Sequence, residues 1–289
     1  MNEITFKTLG EYQRLLERFE NTNDQLLLPD LFFIIRVDAH RIGHNWSQLA
    51  DYPFTAPFIK ALRTTAKNLM MSGFRVNYSY IHGDEISLLL DPLESANQRK
   101  RSRLITLLSS YATAYFNQVS EYKVVFHAKL AELPTRTHVI DYFVWQRKAS
   151  ARNFLTRKII QTLEAKGVPA KEIDTRVSKL SEDERKKMLV ELGYPEEELS
   201  FSDLYGHGLW WGETNSSKAE LIESSSLGAN EEQYAQILEG VLYKPAPLFD
   251  EPGTISVKSA ASTNQVTQRQ LTTGESTQKR KPIFRLDKK

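Results

Sequence analysis

The chain has 289 residues, 40% of them hydrophobic and 26% charged, with a formal net charge of +2. This is a globular balance, long enough for one large domain or two smaller ones, and it excludes a molecule that binds polyanions over its whole surface. The absence of cysteine excludes disulfides, thiolate zinc sites and a cysteine nucleophile. The longest apolar runs, such as LFFII at 31–35, are strand-sized and far below a membrane span. The N-terminal stretch MNEITFKTLGEYQRLLERFE has neither the basic nor the apolar region of a secretion signal, so the expected compartment is the cytoplasm.

From residue 31 to 130 the pattern alternates between strand and helix. LFFIIRVD (31–38) is an apolar strand that ends on Asp38. A helix is predicted at about 54–72, with Phe58, Ala61, Leu62, Ala66 and Leu69 on one face. FRVNYSYI (74–81) alternates as a strand with Phe74, Val76, Tyr78 and Tyr80 on one side, and ISLLL (86–90) is the return strand of a hairpin. A second helix, about 98–118, buries Leu104, Leu107, Leu108, Tyr111 and Tyr115, and KVVFHAKL (123–130) is the fourth strand. The order βαββαβ is that of the ferredoxin-like split arrangement, an α+β fold.

Beyond residue 130 the pattern reads as mostly helical. A long helix is predicted over 137–166. Ser181-Glu182-Asp183-Glu184 is a capping box that opens a shorter helix, which Gly193 ends. Residues 200–215 form a Trp/Gly-rich segment, YGHGLWWGE. The expected organisation is a catalytic core with an N-terminal helix (1–135), a mainly helical region (136–252) and a basic, flexible or hairpin arm (253–289) rich in Ser, Thr, Gln and Gly.

The chemistry concentrates on two acids. In the βαββαβ order the first and third strands are antiparallel neighbours. The end of the first, Asp38, therefore lies beside the start of the third, where the turn His82-Gly83-Asp84-Glu85 carries acids that a turn does not need. Singly, such residues are ordinary turn chemistry. Together they are hard oxygen ligands for Mg²⁺, which takes few carboxylates and completes its shell with water and phosphate. Glu85 is a further ligand or an outer partner.

Other segments point to phosphate. Ala39-His40-Arg41-Ile42-Gly43-His44 follows Asp38 as a tight turn able to offer backbone N–H groups to a triphosphate. It is not a Walker loop. The spacing of His40 and His44 is metal-like but lacks the ligands zinc requires, so both are read as solvated loop histidines. Arg99, Lys100, Arg101 and Arg103 crowd a helix N-terminus, where the macrodipole disfavours cations unless polyphosphate or RNA compensates them. The helix segment with Asp141, Tyr142, Phe143, Trp145, Arg147, Arg152 and Asn153 offers either core packing for its aromatics or a face for bases and phosphates.

In order and spacing these motifs resemble the family of tRNA-His guanylyltransferases, and more closely its bacterial and archaeal guanylyltransferase-like branch. The residues that carry the resemblance are Arg36-Val37-Asp38-Ala39-His40-Arg41-Ile42-Gly43-His44, Gly83-Asp84-Glu85, Arg99-Lys100-Arg101-Ser102-Arg103 and Asp141-Tyr142-Phe143-Val144-Trp145-Gln146-Arg147, followed by Arg152-Asn153. The similarity spans about 28–215. It implies a polymerase-type palm that adds nucleotides in the 3′-to-5′ direction to the 5′ end of tRNA, after ATP or GTP has activated the 5′-monophosphate. It further implies two Mg²⁺ ions held by Asp38, the Ala39 carbonyl and Asp84, with Asp38, Asp84 and Glu85 as the catalytic acids. Nucleotide contacts are implied for Ala39, His40, Arg41, Ile42, Gly43, His44, Gly83, Arg99, Lys100, Ser102 and Arg103. RNA contacts are implied for Lys129, Arg147, Arg152 and Asn153, and the assembly implied is a homo-tetramer.

The chain departs from the family pattern at Ala39, which stands for a glycine, at His127 and Lys129, which stand for an acid and an arginine, and at Ala149, which stands for an acid. Ala151-Arg152-Asn153-Phe154 replaces the His-Ile-Asn-Asn signature, which favours 5′-end repair over dedicated guanylate addition to tRNA-His. Two rival readings stand beside this one: a palm-type nucleotidyl cyclase that uses no RNA, and a tRNA-binding protein with weak catalysis.

Overall fold

The computed structural model describes residues 25–40, 56–213 and 219–242, together with residues 10, 13, 246 and 247. The expected N-terminal helix is outside this set apart from residues 10 and 13, and so are Arg41 to His44 and the 253–289 arm.

Six strands form one antiparallel sheet. They are β1 (Phe32–Ala39), β2 (Val76–His82), β3 (Glu85–Leu90), β4 (Phe126–Leu133), β5 (His207–Glu213) and β6 (Ala219–Ser224), in the order β4-β1-β3-β2-β5-β6. The first four have the order expected of the ferredoxin-like βαββαβ arrangement, with α1 (Ala56–Met70) and α2 (Arg101–Val119) as its two helices. Strand β1 is central and covered on both faces. Phe33, Ile35, Val37 and Ala39 point to one side and pack with Phe58, Leu62, Ala66 and Leu69 of α1 and with Leu104, Leu108 and Phe116 of α2. Ile34 points to the other side, against Phe143 of α3 (Arg136–Ala165) and Tyr234 and Leu238 of α7 (Glu231–Leu242). Arg36 and Asp38 share the face of Ile34 by the period of two. They lie where that face runs out toward the end of the strand.

One expectation about β2 is corrected. Phe74 and Val76 pack with the α1/α2 side, whereas Tyr78 and Tyr80 pack with α3 and α7. The register shifts between Val76 and Tyr78, which face Leu90 and Leu89 in turn. This bulge reverses the facing of the strand. Asn77, the extra residue, accepts a hydrogen bond from the Ala246 N–H at 2.8 Å.

The Trp/Gly-rich segment, which lies within the region read as mainly helical, builds β5. Residues Tyr78 to Ile81 pair with Trp210 to His207, and the Trp211 indole N–H donates to the Val76 carbonyl at 2.8 Å. Glycine permits the close approach. At Gly206, with φ 69°, a Cβ atom would lie 2.3 Å from the Ile81 carbonyl oxygen.

The end of α3 extends past the sheet and forms a smaller helical core with α4 (Ala170–Val177), α5 (Glu182–Glu191) and α6 (Phe201–Tyr205). Phe154, Leu155, Ile159, Ile173, Leu189 and Leu204 fill it. The capping box is formed, with the Glu184 N–H donating to the Ser181 hydroxyl and the Ser181 N–H donating to the Glu184 carboxylate. No helix among the described residues is long and apolar enough to cross a membrane.

Gly206→Ala is expected to lower stability by about 2 kcal/mol or more, through a positive φ and a backbone clash together. Urea denaturation checks it, and an unchanged midpoint would contradict the close approach of β5 to β2.

Candidate active site

Strand β1 ends between two neighbours, and its pairing sets the site. Asp38 lies opposite Glu85 of β3 on one side and His127 of β4 on the other. One residue beyond, the Ala39 N–H donates to the Asp84 carbonyl at 3.2 Å. The backbones of Asp38 and Asp84 are therefore adjacent, as the strand order predicts. The loop between β2 and β3 is two residues long, and its first position, Gly83, has φ 53°, a conformation that favours glycine.

The charges around Asp38 alternate. Arg36 Nε is 2.9 Å from Asp38 Oδ1 and 3.8 Å from Glu85 Oε2. His127 Nε2 and Lys129 Nζ lie 3.4 Å and 3.5 Å from Asp38 Oδ2. Asp38 itself is only 7% exposed. Both of its carboxylate oxygens are buried and neither accepts an aligned hydrogen bond, so these contacts are charge contacts rather than directed bonds. Burial, and then the charge of Glu85, raise the Asp38 pKa, with Arg36, Lys129 and His127 opposing. Burial and Glu85 also push Asp84 up, to about 6. Glu85 moves the other way. Burial would raise it, but the hydrogen bond and charge of His82, together with Arg36, hold it below the usual carboxylate range. Crowding at one strand end thus makes Asp38 and Asp84 hold protons more tightly than isolated carboxyls do, and favours any cation that reaches them.

Behind them runs a polar chain that sequence reasoning did not find. His82 Nε2 lies 3.3 Å from Glu85 Oε2 and 3.0 Å from the Gln146 side-chain oxygen of α3. The Gln146 amide donates to the Tyr142 hydroxyl at 3.1 Å. His82 and Gln146 are buried, so the hairpin is tied to α3 by groups that have no alternative partner in water. Arg36 was legible, standing two residues before Asp38 on the same strand face. Gln146 had no local signal, because its role depends on how α3 crosses the sheet.

The other expected site residues divide. His40 stays at the site, its ring 5.8 Å from that of His127, while Arg41, Ile42, Gly43 and His44 lie outside the described residues. The basic run is at the opposite end of β1. Arg99 lies over the ring of Phe33 at 5.1 Å, five residues from Asp38, or about 17 Å along a strand. The helix begins at Arg101, so Arg99 and Lys100 precede it. Arg99 donates to the carbonyls of Leu27, Leu28, Pro92 and Glu94, and Arg101 pairs with Glu132. Arg99 thus has a structural task at that end of the sheet. Arg103 is exposed. Lys100 and Ser102, expected at the nucleotide, lie with it at that far end.

Arg147 is also committed to the fold. It is buried, donates to the carbonyls of Asn230 and Gly228 at 2.7 Å each, and lies over the rings of Tyr205 and Tyr234 at 4.4 Å and 5.3 Å. These bonds and rings give the Arg147 side chain a structural task. Lys129 remains at the carboxylates, and Arg152 and Asn153 are exposed on the extension of α3. Phe143 is core, Tyr142 is half-buried and Trp145 is exposed.

The donor set can be tested against Mg²⁺. Among the described residues no three acidic or histidine side chains are grouped to enclose a metal ion. Mg²⁺ requires no such cage, because one or two carboxylates suffice when waters and phosphates complete the octahedron. Asp38 offers two buried oxygens without aligned donors, with Asp84 beside it, and this fits. The side chains of His127 and Lys129 are 44% and 61% exposed, so either can leave Asp38 when a stronger cation arrives.

Two outcomes follow for the metal-free protein. Because the folded-state pKa of Asp84 is raised to about 6, its contribution to stability is fully present below the unfolded value of about 4 and is lost as pH rises through about 6. Asp84→Asn should match the parent near pH 4 and be more stable at pH 7.5; equal denaturation midpoints at both would refute the shift. Arg147→Lys should lose about 3 kcal/mol or more, since an ammonium cannot reproduce the paired carbonyl bonds and stacking. Thermal unfolding checks this, and a change of less than 1 kcal/mol would contradict the structural task of Arg147.

Residues 12–141 match the family described as tRNAHis guanylyltransferase. A tRNA(His) guanylyltransferase of Debaryomyces hansenii is 27% identical over 206 residues, covering 65% of this chain and 74% of that protein. A bacterial tRNA(His) guanylyltransferase-like protein, solved in complex with ATP, superposes with a TM-score of 0.64 at 18% identity over 80% of this chain and 98% of its own. The structure of tRNA(His) guanylyltransferase from Saccharomyces cerevisiae superposes with a TM-score of 0.60 at 18% identity, covering 74% and 96%. By sequence over residues 12–141 the chain is similar to the tRNA-His guanylyltransferase family, and over most of its length it shares the fold of these structures.

Proposed function

We propose that the protein is a Mg²⁺-dependent nucleotidyltransferase that adds nucleotides to the 5′ end of tRNA or a tRNA-like RNA in the 3′-to-5′ direction. The observation that carries this reading is the adjacency of Asp38 and Asp84 at the open end of a palm-type sheet. Its support from the relatives is their name and, for bacterial guanylyltransferase-like protein, structures in complex with ATP and with GTP.

Asp38 and Asp84 would hold the metal, with the Ala39 carbonyl as a further oxygen, and Mg²⁺ bound there supplies charge neutralisation at the attacking and leaving oxygens of phosphoryl transfer. In the first step an oxygen of the RNA 5′-monophosphate attacks the α-phosphorus of ATP, forming a phosphoanhydride and releasing pyrophosphate. In the second, the 3′-hydroxyl of the incoming nucleoside triphosphate attacks the 5′-phosphorus, AMP leaves, and the hydroxyl proton is lost. His127 and Lys129, already beside the carboxylates, are placed to hold phosphate oxygens in both steps. His82 and Gln146 keep Glu85 and the hairpin oriented while charge moves. The family resemblance carries two further parts of the proposal, a cytoplasmic location and a dimer-of-dimers assembly. The altered Ala151 to Phe154 segment carries a third, repair of 5′ ends in preference to guanylate addition to tRNA-His alone.

Asp38→Ala and Asp84→Ala should each reduce incorporation of labelled nucleotide into a 5′-truncated, 5′-monophosphorylated tRNA to background while leaving the folded content unchanged. Lys129→Met should reduce it by about 10- to 100-fold, the scale of lost support around a metal site. Incorporation undiminished in both aspartate variants would overturn the assignment. A labelled product formed without RNA would identify a cyclase instead.

A further inference from the structure

A cavity of about 420 Å³ opens between α3, α4 and α5, within the size range of small-molecule sites. Its lining is ordered along its length. On α3, successive turns contribute Arg152 and Asn153, then Thr156, then Ile160, then Glu164, spacings that keep them on one helix face. On α4, Val177 lies at the first end and Ile173 and Asp174 further along. Arg185 of α5 closes the first end. It is 6% exposed and donates to the Thr156 hydroxyl at 3.0 Å, to the Val177 carbonyl at 3.1 Å and to the Leu180 carbonyl. Those bonds fix a guanidinium in the wall beside a second one. No carboxylate of the described residues is paired with Arg152 or Arg185 in the structure. Burial, and next the neighbouring charge of Arg152, lower the Arg185 pKa, with the charges of Glu184 and Glu182 opposing. Like charges held together this way gain from an anion.

The rest of the lining is not that of a bare anion site. The floor beyond the arginines is apolar, and the far lip carries Asp174 and Glu164, both exposed acceptors. Cations, then an apolar floor, then carboxylates is the sequence of groups that a phosphate, a base and that base's N–H donors would require. We infer that this cavity is a second nucleotide-recognition site, taking one nucleoside monophosphate unit, either free or as part of an RNA strand, with its phosphate at Arg152 and Arg185 and its base over Ile160 and Ile173. Arg152 follows Gln146 by six residues, about 9 Å along the helix, so a unit seated here lies on the same helix that orients the Glu85 hairpin. The inference stands on the cavity and not on the metal chemistry assigned to Asp38 and Asp84.

The test is equilibrium binding to the full chain in EDTA, which silences any metal-dependent site, using GMP, inorganic phosphate and a short 5′-phosphorylated RNA as probes. GMP should bind more tightly than phosphate. Arg152→Glu, a change at an exposed position, should weaken GMP by at least about tenfold, the loss of one charge-assisted contact. Asp174→Asn should weaken GMP and not phosphate, and the Asp38→Asn/Asp84→Asn double variant should bind as the parent does. Tighter binding of the RNA than of GMP identifies a strand as the natural source, and the reverse identifies a free nucleotide. If phosphate competes as well as GMP, or Asp174→Asn strengthens both, the site reads charge alone and the inference is overturned. It is overturned equally if Arg152→Glu leaves GMP binding unchanged.

Discussion

The antiparallel register of β1 with β3 is the constraint on which the rest depends. Phe33 to Asp38 pair with Leu90 to Glu85 without interruption, and Arg36, Asp38 and Glu85 take their facing from that ladder. A slip of one residue would send Asp38 into the apolar layer beneath α1 and α2 and bring Val37 to the open face. The apolar residues Phe33, Ile35 and Val37, all fully buried, make such a slip costly. The acids are therefore held together by hydrophobic burial several residues away, against their own desolvation and mutual repulsion. Asp38, Asp84 and Glu85 raise or compete for one another's protons, and the sheet keeps them together despite it.

That arrangement is a store of electrostatic potential. Two carboxyls pushed above their usual range and a third held below it are relieved by any cation that reaches them. In the protein alone the relief comes from Arg36, His127 and Lys129. Arg36 is half-buried between β1 and β3, whereas the other two are mostly exposed. The first is a permanent counter-charge, and the latter two are exchangeable. A site that must accept Mg²⁺ and triphosphate needs both kinds, because fixed cations alone would exclude the metal, and exchangeable ones alone would leave the acids unbalanced in its absence.

The palm was legible because its signals are local. Strand periodicity, a two-residue turn and helix stripes fix βαββαβ, and the strand order then brings Asp38 beside Asp84 without further information. What failed had non-local causes. The bulge at Asn77 reverses β2 with no glycine or proline to mark it. The Trp/Gly-rich segment joins the sheet where Gly206 lets its backbone approach β2 and Gly208 leaves room for the Tyr78 and Leu227 side chains. Arg99 and Arg147 have the same composition-level signature as phosphate ligands, clustered charge near aromatics. Which of them bind backbone carbonyls is decided by segments far away in sequence, Leu27 and Leu28 for one, Gly228 and Asn230 for the other. Arginine satisfies buried carbonyls with the same planar fork that recognises phosphate, so sequence alone does not separate the two uses.

Helix α3 connects the parts. Its first half packs Val139 and Phe143 against the sheet, its middle places Gln146 on His82 and Arg147 between α6 and α7, and its last turns leave the sheet and carry Arg152, Thr156 and Ile160 to the cavity. A rigid element of 30 residues that touches the carboxylate hairpin at one point and a nucleotide-sized cavity a few turns later fixes the separation between them. If one nucleotide unit occupies that cavity, the strand leading from it to the carboxylates is measured by the helix rather than by a loop. Mutations that shorten or kink α3 between Gln146 and Arg152 would then change which residue of an RNA end reaches Asp38, without altering either site.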